Sequence, residues 1–112
     1  PYETTVYGMD ELDRAIADDA AYGWVKVLTV PGKDRILGAT IVAEHAGELL
    51  QPFVLAMRCG LGLGKIASTI HPYPTFVEVG RKAADQFLKS RLTPLAKRLF
   101  TTLYARQRGD AA

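Results

Sequence analysis

Three side chains in one short stretch are of types that do chemistry: the imidazole of His71, the phenol of Tyr73 and the carboxylate of Glu78, within His71-Pro72-Tyr73-Pro74-Thr75-Phe76-Val77-Glu78. The two prolines forbid a continuous helix through them and stiffen the chain into a loop. A stiff loop holds its side chains at a defined place. His71 is of the one residue type that ordinarily titrates near neutrality, so it is either a loop histidine with its bonds satisfied or a site residue, and spacing leaves both open. A phenol of ordinary pKa, about 10, stays a protonated donor at neutral pH, which suits Tyr73 to orienting a group and not to removing its proton. Thr75 and Glu78 have the spacing of a capping box, with Thr75 accepting from the Glu78 N–H and Glu78 reaching back. A helix beginning at Thr75 is expected.

The other reactive types form weaker patterns. Cys59 is the only cysteine, which leaves no internal disulfide, no Cys-x-x-Cys centre and no multi-cysteine zinc site; a buried, inert thiol is expected. His45 and Glu48 are three apart, but two histidines and one thiol are too few for a metal site, and none is expected. Gly60-Leu61-Gly62-Leu63-Gly64-Lys65 has the look of a phosphate cradle and the wrong spacing. A Walker loop needs Gly where Cys59 stands and Ser or Thr where Ile66 stands, and a dinucleotide fingerprint needs Gly at Lys65. A helix cap with a tight turn accounts for these glycines. Ser, His and acidic residues are too scattered for a nucleophilic triad.

The elements that must position the loop read clearly. Tyr2 to Tyr7 is a short β-branched and aromatic run ended by Gly8. Met9 to Ala21 is acidic and poor in apolar residues, so an exposed connection with one helical turn anchored by Leu12 and Ile16 is expected. Trp24 to Val30 and Ile36 to Glu44 flank the loop Pro31-Gly32-Lys33-Asp34-Arg35 and predict an antiparallel hairpin. Alternation sets Val25, Val27 and Thr29 on one face and Trp24, Lys26, Leu28 and Val30 on the other; both faces are partly apolar, so cover is needed on both. Ala46, Leu49, Leu50, Phe53 and Met57 predict a core helix ending before Gly60, with a bend or late start at Pro52. A short turn over Gly64 to Thr69 precedes the prolines, and the helix capped by Thr75 carries Val79, Ala83, Ala84 and Phe87 inward. The predicted fold class is α+β, an antiparallel sheet packed with helices. Its expected core includes Val27, Ile41, Leu50, Phe53, Val54 and Ile66.

With 112 residues, 48% of them hydrophobic, the chain suits a soluble globular domain. A net charge of +2 gives no overall electrostatic case for nucleic acid as a partner. The N-terminus has no basic stretch followed by an apolar one, and no segment reaches the roughly 20 apolar residues of a membrane span, so a cytoplasmic location is expected. The basic residues gather at the end: Lys89, Arg91, Lys97, Arg98, Arg106 and Arg108 accompany Leu92, Leu95, Leu99 and Leu103. Residues 1–88 therefore read as one domain and 89–112 as a basic amphipathic helical extension. The leucine stripe is expected to fold back on its own domain with the cations solvated; the alternative is a stand-alone interaction module docking this helix on a protein or an anionic membrane surface.

Gly23-Trp24-Val25-Lys26-Val27, Arg35-Ile36-Leu37-Gly38-Ala39-Thr40-Ile41-Val42, Ala46-Gly47-Glu48-Leu49-Leu50 and His71-Pro72-Tyr73-Pro74-Thr75 through Glu78 occur in an order that resembles the C-terminal interface domain of the flavin-dependent pyridine nucleotide-disulfide oxidoreductases, the family of dihydrolipoamide dehydrogenase, glutathione reductase and mercuric reductase. The likeness covers Trp24 to about Asp85. It implies a homodimer in which the proline loop enters the FAD domain of the partner subunit, with Tyr73 and Glu78 as catalytic residues, Tyr73 and Pro74 against the flavin, and a cis bond before Pro74 with a trans one before Pro72. It also implies FAD and NAD(P)H in an intact enzyme, with neither bound by these residues alone, and a longer protein from which the early part of the interface domain is missing here. Tyr73 stands where the family usually has its catalytic His, which puts general-base chemistry on a thiol in doubt. Mercuric reductase also has a Tyr in this loop but ends in a Cys pair, whereas this chain ends Gly109-Asp110-Ala111-Ala112.

Overall fold

The computed structural model describes residues 1–92 and 94–109. Three antiparallel strands, β1 (Glu3–Gly8), β2 (Trp24–Thr29) and β3 (Ile36–Val42), form a sheet in the order β1-β2-β3. Thr5 pairs with Val27 and Val27 with Ala39, and a bulge between Leu28 and Thr29 shifts the end of the hairpin. The alternation read from β2 holds: Val25, Val27 and Thr29 are buried beneath helices. On the opposite face Val6, Trp24 and Val42 stay exposed in the single chain. The expected cover on both sides is thus supplied on one side only.

Among the described residues five α-helices follow the strands or interrupt them: α1 (Asp13–Ala17), α2 (Ala46–Arg58), α3 (Leu63–Ser68), α4 (Glu78–Ser90) and α5 (Pro94–Gln107). The covering layer is α2 and α4, which insert Leu49, Phe53 and Ala56, and Val79, Ala83, Ala84 and Phe87, at the spacings of a helix face. Phe53 is fully buried and lies beside Gly80, so the two helices meet where one of them has no side chain. Pro52 neither delays nor ends α2, which runs unbroken from Ala46; the one donor it removes leaves the rest of the helical ladder in place. A Schellman motif stops the helix, with Gly60 at φ 69°, its N–H on the Met57 carbonyl and the Leu61 N–H on the Ala56 carbonyl. Of the predicted core, Val27, Phe53 and Ile66 are buried and Ile41 and Leu50 half-buried, but Val54 is 45% exposed. The buried arc of α2 passes through Ala56, one residue before the expected Met57, and turns Val54 outward.

Two expectations fail more broadly. Met9 to Ala21 is no exposed connection: Met9, Leu12 and Ala15 are completely buried, and of the two expected anchors Leu12 is inside while Ile16 is exposed. The short apolar side chains reach the core because a 3-10 turn at Met9–Glu11 tucks the segment against the end of β2, the Met9 N–H bonding the Gly23 carbonyl at 3.0 Å. Gly23 itself has φ 90°, and a Cβ there would lie 1.7 Å from the Val42 carbonyl oxygen. The second failure is α5. None of its residues is buried, and Leu92 before it with Leu95, Leu99, Phe100, Leu103 and Tyr104 within it are exposed. The stripe does not fold back, because α2 and α4 already fill the inner face of the sheet and leave no apolar surface for it there.

Candidate functional site at the proline loop

The loop between α3 and α4 is built from local bonds. α3 starts on Asp34 of the hairpin loop, whose carboxylate accepts the Gly64 N–H at 2.9 Å and whose carbonyl accepts the Leu63 N–H at 3.0 Å. A Cβ on Gly62 would lie 2.4 Å from that carboxylate, so the glycine-rich run is occupied with capping and close packing, not with cradling an anion. At the other end of α3, the Thr69 hydroxyl donates to the Lys65 carbonyl at 2.6 Å, and the Thr69 carbonyl accepts from Nδ1 of His71 at 2.8 Å. A carbonyl can only accept, so Nδ1 of His71 is the donor in this bond.

Thr75 does not cap the next helix. Its hydroxyl donates to the Pro72 carbonyl at 2.7 Å, closing the proline turn, and α4 begins three residues later at Glu78 after a tight turn in which Val79 and Gly80 bond back to Phe76 and Val77. With the hydroxyl spent inside the loop, the Glu78 side chain is free of the capping role too. It is 2% exposed, one oxygen pairs with Arg81 at 3.0 Å and the other has no partner, as has Nε of Arg81. Such an orphaned carboxylate oxygen is costly to bury unless something reaches it. Arg81 lies 3.8 Å from Asp85 as well.

Tyr73 and Glu78 border one open groove of about 320 Å³, together with Thr69, His71 and Arg81. The Tyr73–Pro74 bond is cis. Tyr73 is 67% exposed, and its hydroxyl reaches across the fold to donate to Asp13 Oδ2 at 2.7 Å. That bond, the charge of Asp13, slight desolvation and the charge of Glu78 all hold the phenol protonated and push its pKa above the ordinary value. Pro74 offers its carbonyl to Nη1 of Arg14 at 3.1 Å, and Arg14 also lies over the Phe76 ring. Sequence reasoning missed Asp13 and Arg14, since nothing in an acidic segment sixty residues upstream marks it as the loop's neighbour. Among the described residues no three His, Cys, Asp or Glu side chains gather to hold a metal ion.

Residues 1–84 match the pyridine nucleotide-disulphide oxidoreductase dimerisation domain. The chain belongs to this family. Curated relatives include a mercuric reductase of Serratia marcescens, 37% identical over 81 residues, and a mitochondrial dihydrolipoyl dehydrogenase of Dictyostelium discoideum, 44% identical over 71 residues. These alignments cover 72% and 63% of this chain but only 18% and 14% of the relatives, so the chain spans under a fifth of their length. Among solved structures, LpdA from Mycobacterium tuberculosis superposes with a TM-score of 0.71 over 77% of this chain and 19% of its own, at 23% identity, which shows a shared fold. The dimerisation-domain match ends inside α4, and α5 lies beyond it. Among the described residues no helix is long and apolar enough to cross a membrane.

Proposed function

We propose that this dimerisation domain serves a flavin-dependent, NAD(P)H-linked oxidoreductase as its homodimer interface, and that its proline loop lends Tyr73 and Glu78 to the active site of the partner subunit. Residues 1–88 are the dimerising unit and 89–112 an extension. The observation that carries this reading is the placing of Tyr73: an aromatic side chain left 67% exposed on a loop stiffened by prolines, with only its hydroxyl tied back to its own chain. The exposed ring is free to pack against another surface.

FAD fits this role as a group covered by the loop and held elsewhere. Tyr73 and Pro74 offer a flat apolar and polar edge, while the glycines between Cys59 and Lys65 are already committed to Asp34 and the end of α2. Bound by the remainder of the intact protein, FAD would carry electrons from the nicotinamide to a disulfide or another acceptor. Tyr73, protonated at neutral pH, orients the acceptor and excludes water; it is no base for a thiol. Glu78 acts from beneath the groove, where it holds Arg81 at 3.0 Å on the side that meets the partner.

Replacing Tyr73 by Phe in the intact enzyme tests this. The acceptor step should slow by about tenfold or more, the worth of one lost hydrogen bond of roughly 1.4 kcal/mol, while flavin reduction by the nicotinamide keeps its rate in stopped flow. Equal rates in both steps would remove Tyr73 from the site.

A second role is favoured by the exposed stripe of α5. Leu95, Leu99 and Leu103 with Phe100 and Tyr104 make an apolar arc, and no acidic residue occurs between Asp85 and Asp110 while Lys89, Arg91, Lys97, Arg98, Arg106 and Arg108 do. Apolar side chains edged by cations alone match an anionic membrane surface, on which α5 would lie flat.

A further inference from the structure

Local bonds shape the proline loop and Phe76 and Val77 pack on the core, but neither ties down Tyr73. Among the described residues, the other side-chain hydrogen bonds of residues 70–77 stay within three residues of their origin, His71 to Thr69 and Thr75 to Pro72. The contacts that fix Tyr73 and Pro74 to the rest of the fold come from α1: the Tyr73 hydroxyl donates to Asp13 at 2.7 Å, Arg14 donates to the Pro74 carbonyl at 3.1 Å, and the Arg14 guanidinium lies 5.8 Å above the centre of the Phe76 ring. Arg14 is in turn held by Asp18 at 3.0 Å. α1 is a sound base for this, because Leu12 and Ala15, on either side of Asp13 and Arg14, are both completely buried in the core.

We infer that α1 is the positioning element of the site, with Asp13 aiming the Tyr73 phenol and Arg14 fixing the Pro74 backbone. The inference rests on the reading of Tyr73 as a site residue for its functional consequence, but not for the contact itself. One chemical consequence follows. A phenol has a single O–H to donate, and here it is donated to Asp13, so a group that meets the Tyr73 oxygen while this bond stands must bring its own donor, such as a thiol S–H, to the remaining lone pairs. A bond to a carboxylate is also stronger than one between neutral groups, which makes the aim of the ring firm although it is exposed. The charged and titratable groups around the phenol are Asp13 and Arg14 from α1, Glu78 and Arg81 from α4, and His71 of the loop. The carboxylates favour the protonated phenol.

Tyrosinate absorbance against pH tests the contact on this chain, and the intact enzyme tests its use. Subtracting the titration of Tyr73→Phe from that of the parent chain isolates Tyr73. Its midpoint should lie above the ordinary phenol value of about 10, fall in Asp13→Asn, and stay raised in Asp13→Glu, which restores the carboxylate. A Tyr73 midpoint at the ordinary value in the parent chain overturns the inference without any change at position 13, and so does an unchanged midpoint in Asp13→Asn. In the intact enzyme, Asp13→Asn should slow the acceptor step as Tyr73→Phe does, and the double variant should be no slower than Tyr73→Phe alone. Additive losses contradict a role through Tyr73. A raised midpoint that falls in Asp13→Asn, combined with normal rates in every variant, would uphold the positioning contact and remove the active-site reading instead.

Discussion

Tyr73 and Glu78 were both legible in the sequence as residues of a stiff loop, yet their partners were not. The Thr-x-x-Glu spacing pointed to a reciprocal cap, whereas Thr75 closes the turn onto Pro72 and Glu78 goes to Arg81. Local spacing describes which bonds are within reach and cannot say which of several reachable bonds wins. Asp13 is the stronger case, since its bond to Tyr73 spans sixty residues and depends on the whole fold. The raised pKa of Tyr73 carries a sign: the bond contributes its stability in full below about pH 10, the value of the unfolded phenol, and the contribution is lost as pH climbs through the raised folded value. Two glycines make opposite predictions at this scale. Gly23→Ala puts a methyl into the Val42 carbonyl at a positive φ and should cost at least ~2 kcal/mol. Gly80→Ala meets Phe53 at an ordinary 3.6 Å and removes unfolded-state freedom, so it should gain about 0.5 kcal/mol. Urea midpoints of the two variants against the parent chain check both signs.

At the scale of elements, the strands and α2 and α4 follow from alternation and helical spacing, because each has one face buried by its immediate neighbours. Periodicity failed where burial depends on a distant surface. Met9, Leu12 and Ala15 lie in a segment too short and acidic to show a pattern, and the turn at Gly23 carries them inward. α5 has the pattern and lacks the surface. Since no residue of α5 is buried in the core, ending the chain after Leu92 should leave the melting temperature within about 2 °C, a shift that corresponds to well under 1 kcal/mol in a chain of this size. The same truncation should abolish co-flotation with phosphatidylglycerol vesicles at low salt, while neither form floats with phosphatidylcholine. A large drop in melting temperature would restore packing of the stripe on the domain, and equal flotation of both forms would dismiss the membrane surface.

The whole molecule is a half-covered sheet. Helices close one face around Val25, Val27 and Phe53, the other face presents Val6, Trp24 and Val42 to solvent, and the proline loop exposes Ile70 and Tyr73. Apolar surface on this scale is what a two-fold partner removes from water, and in a dimerisation-domain family a second copy is the expected cover. A stable pairing would bury about 1,200–2,000 Å² in total through the proline loop, α4 and the open sheet face, with apolar contacts carrying most of the association. Sedimentation equilibrium of the chain over a wide range of concentration is the most direct measurement of this account. It should return twice the chain's mass at high concentration, with little change between low and high salt. A single monomeric mass up to the highest concentration reached would contradict the account, since the exposed sheet face and loop would then not be the surfaces that pair two copies.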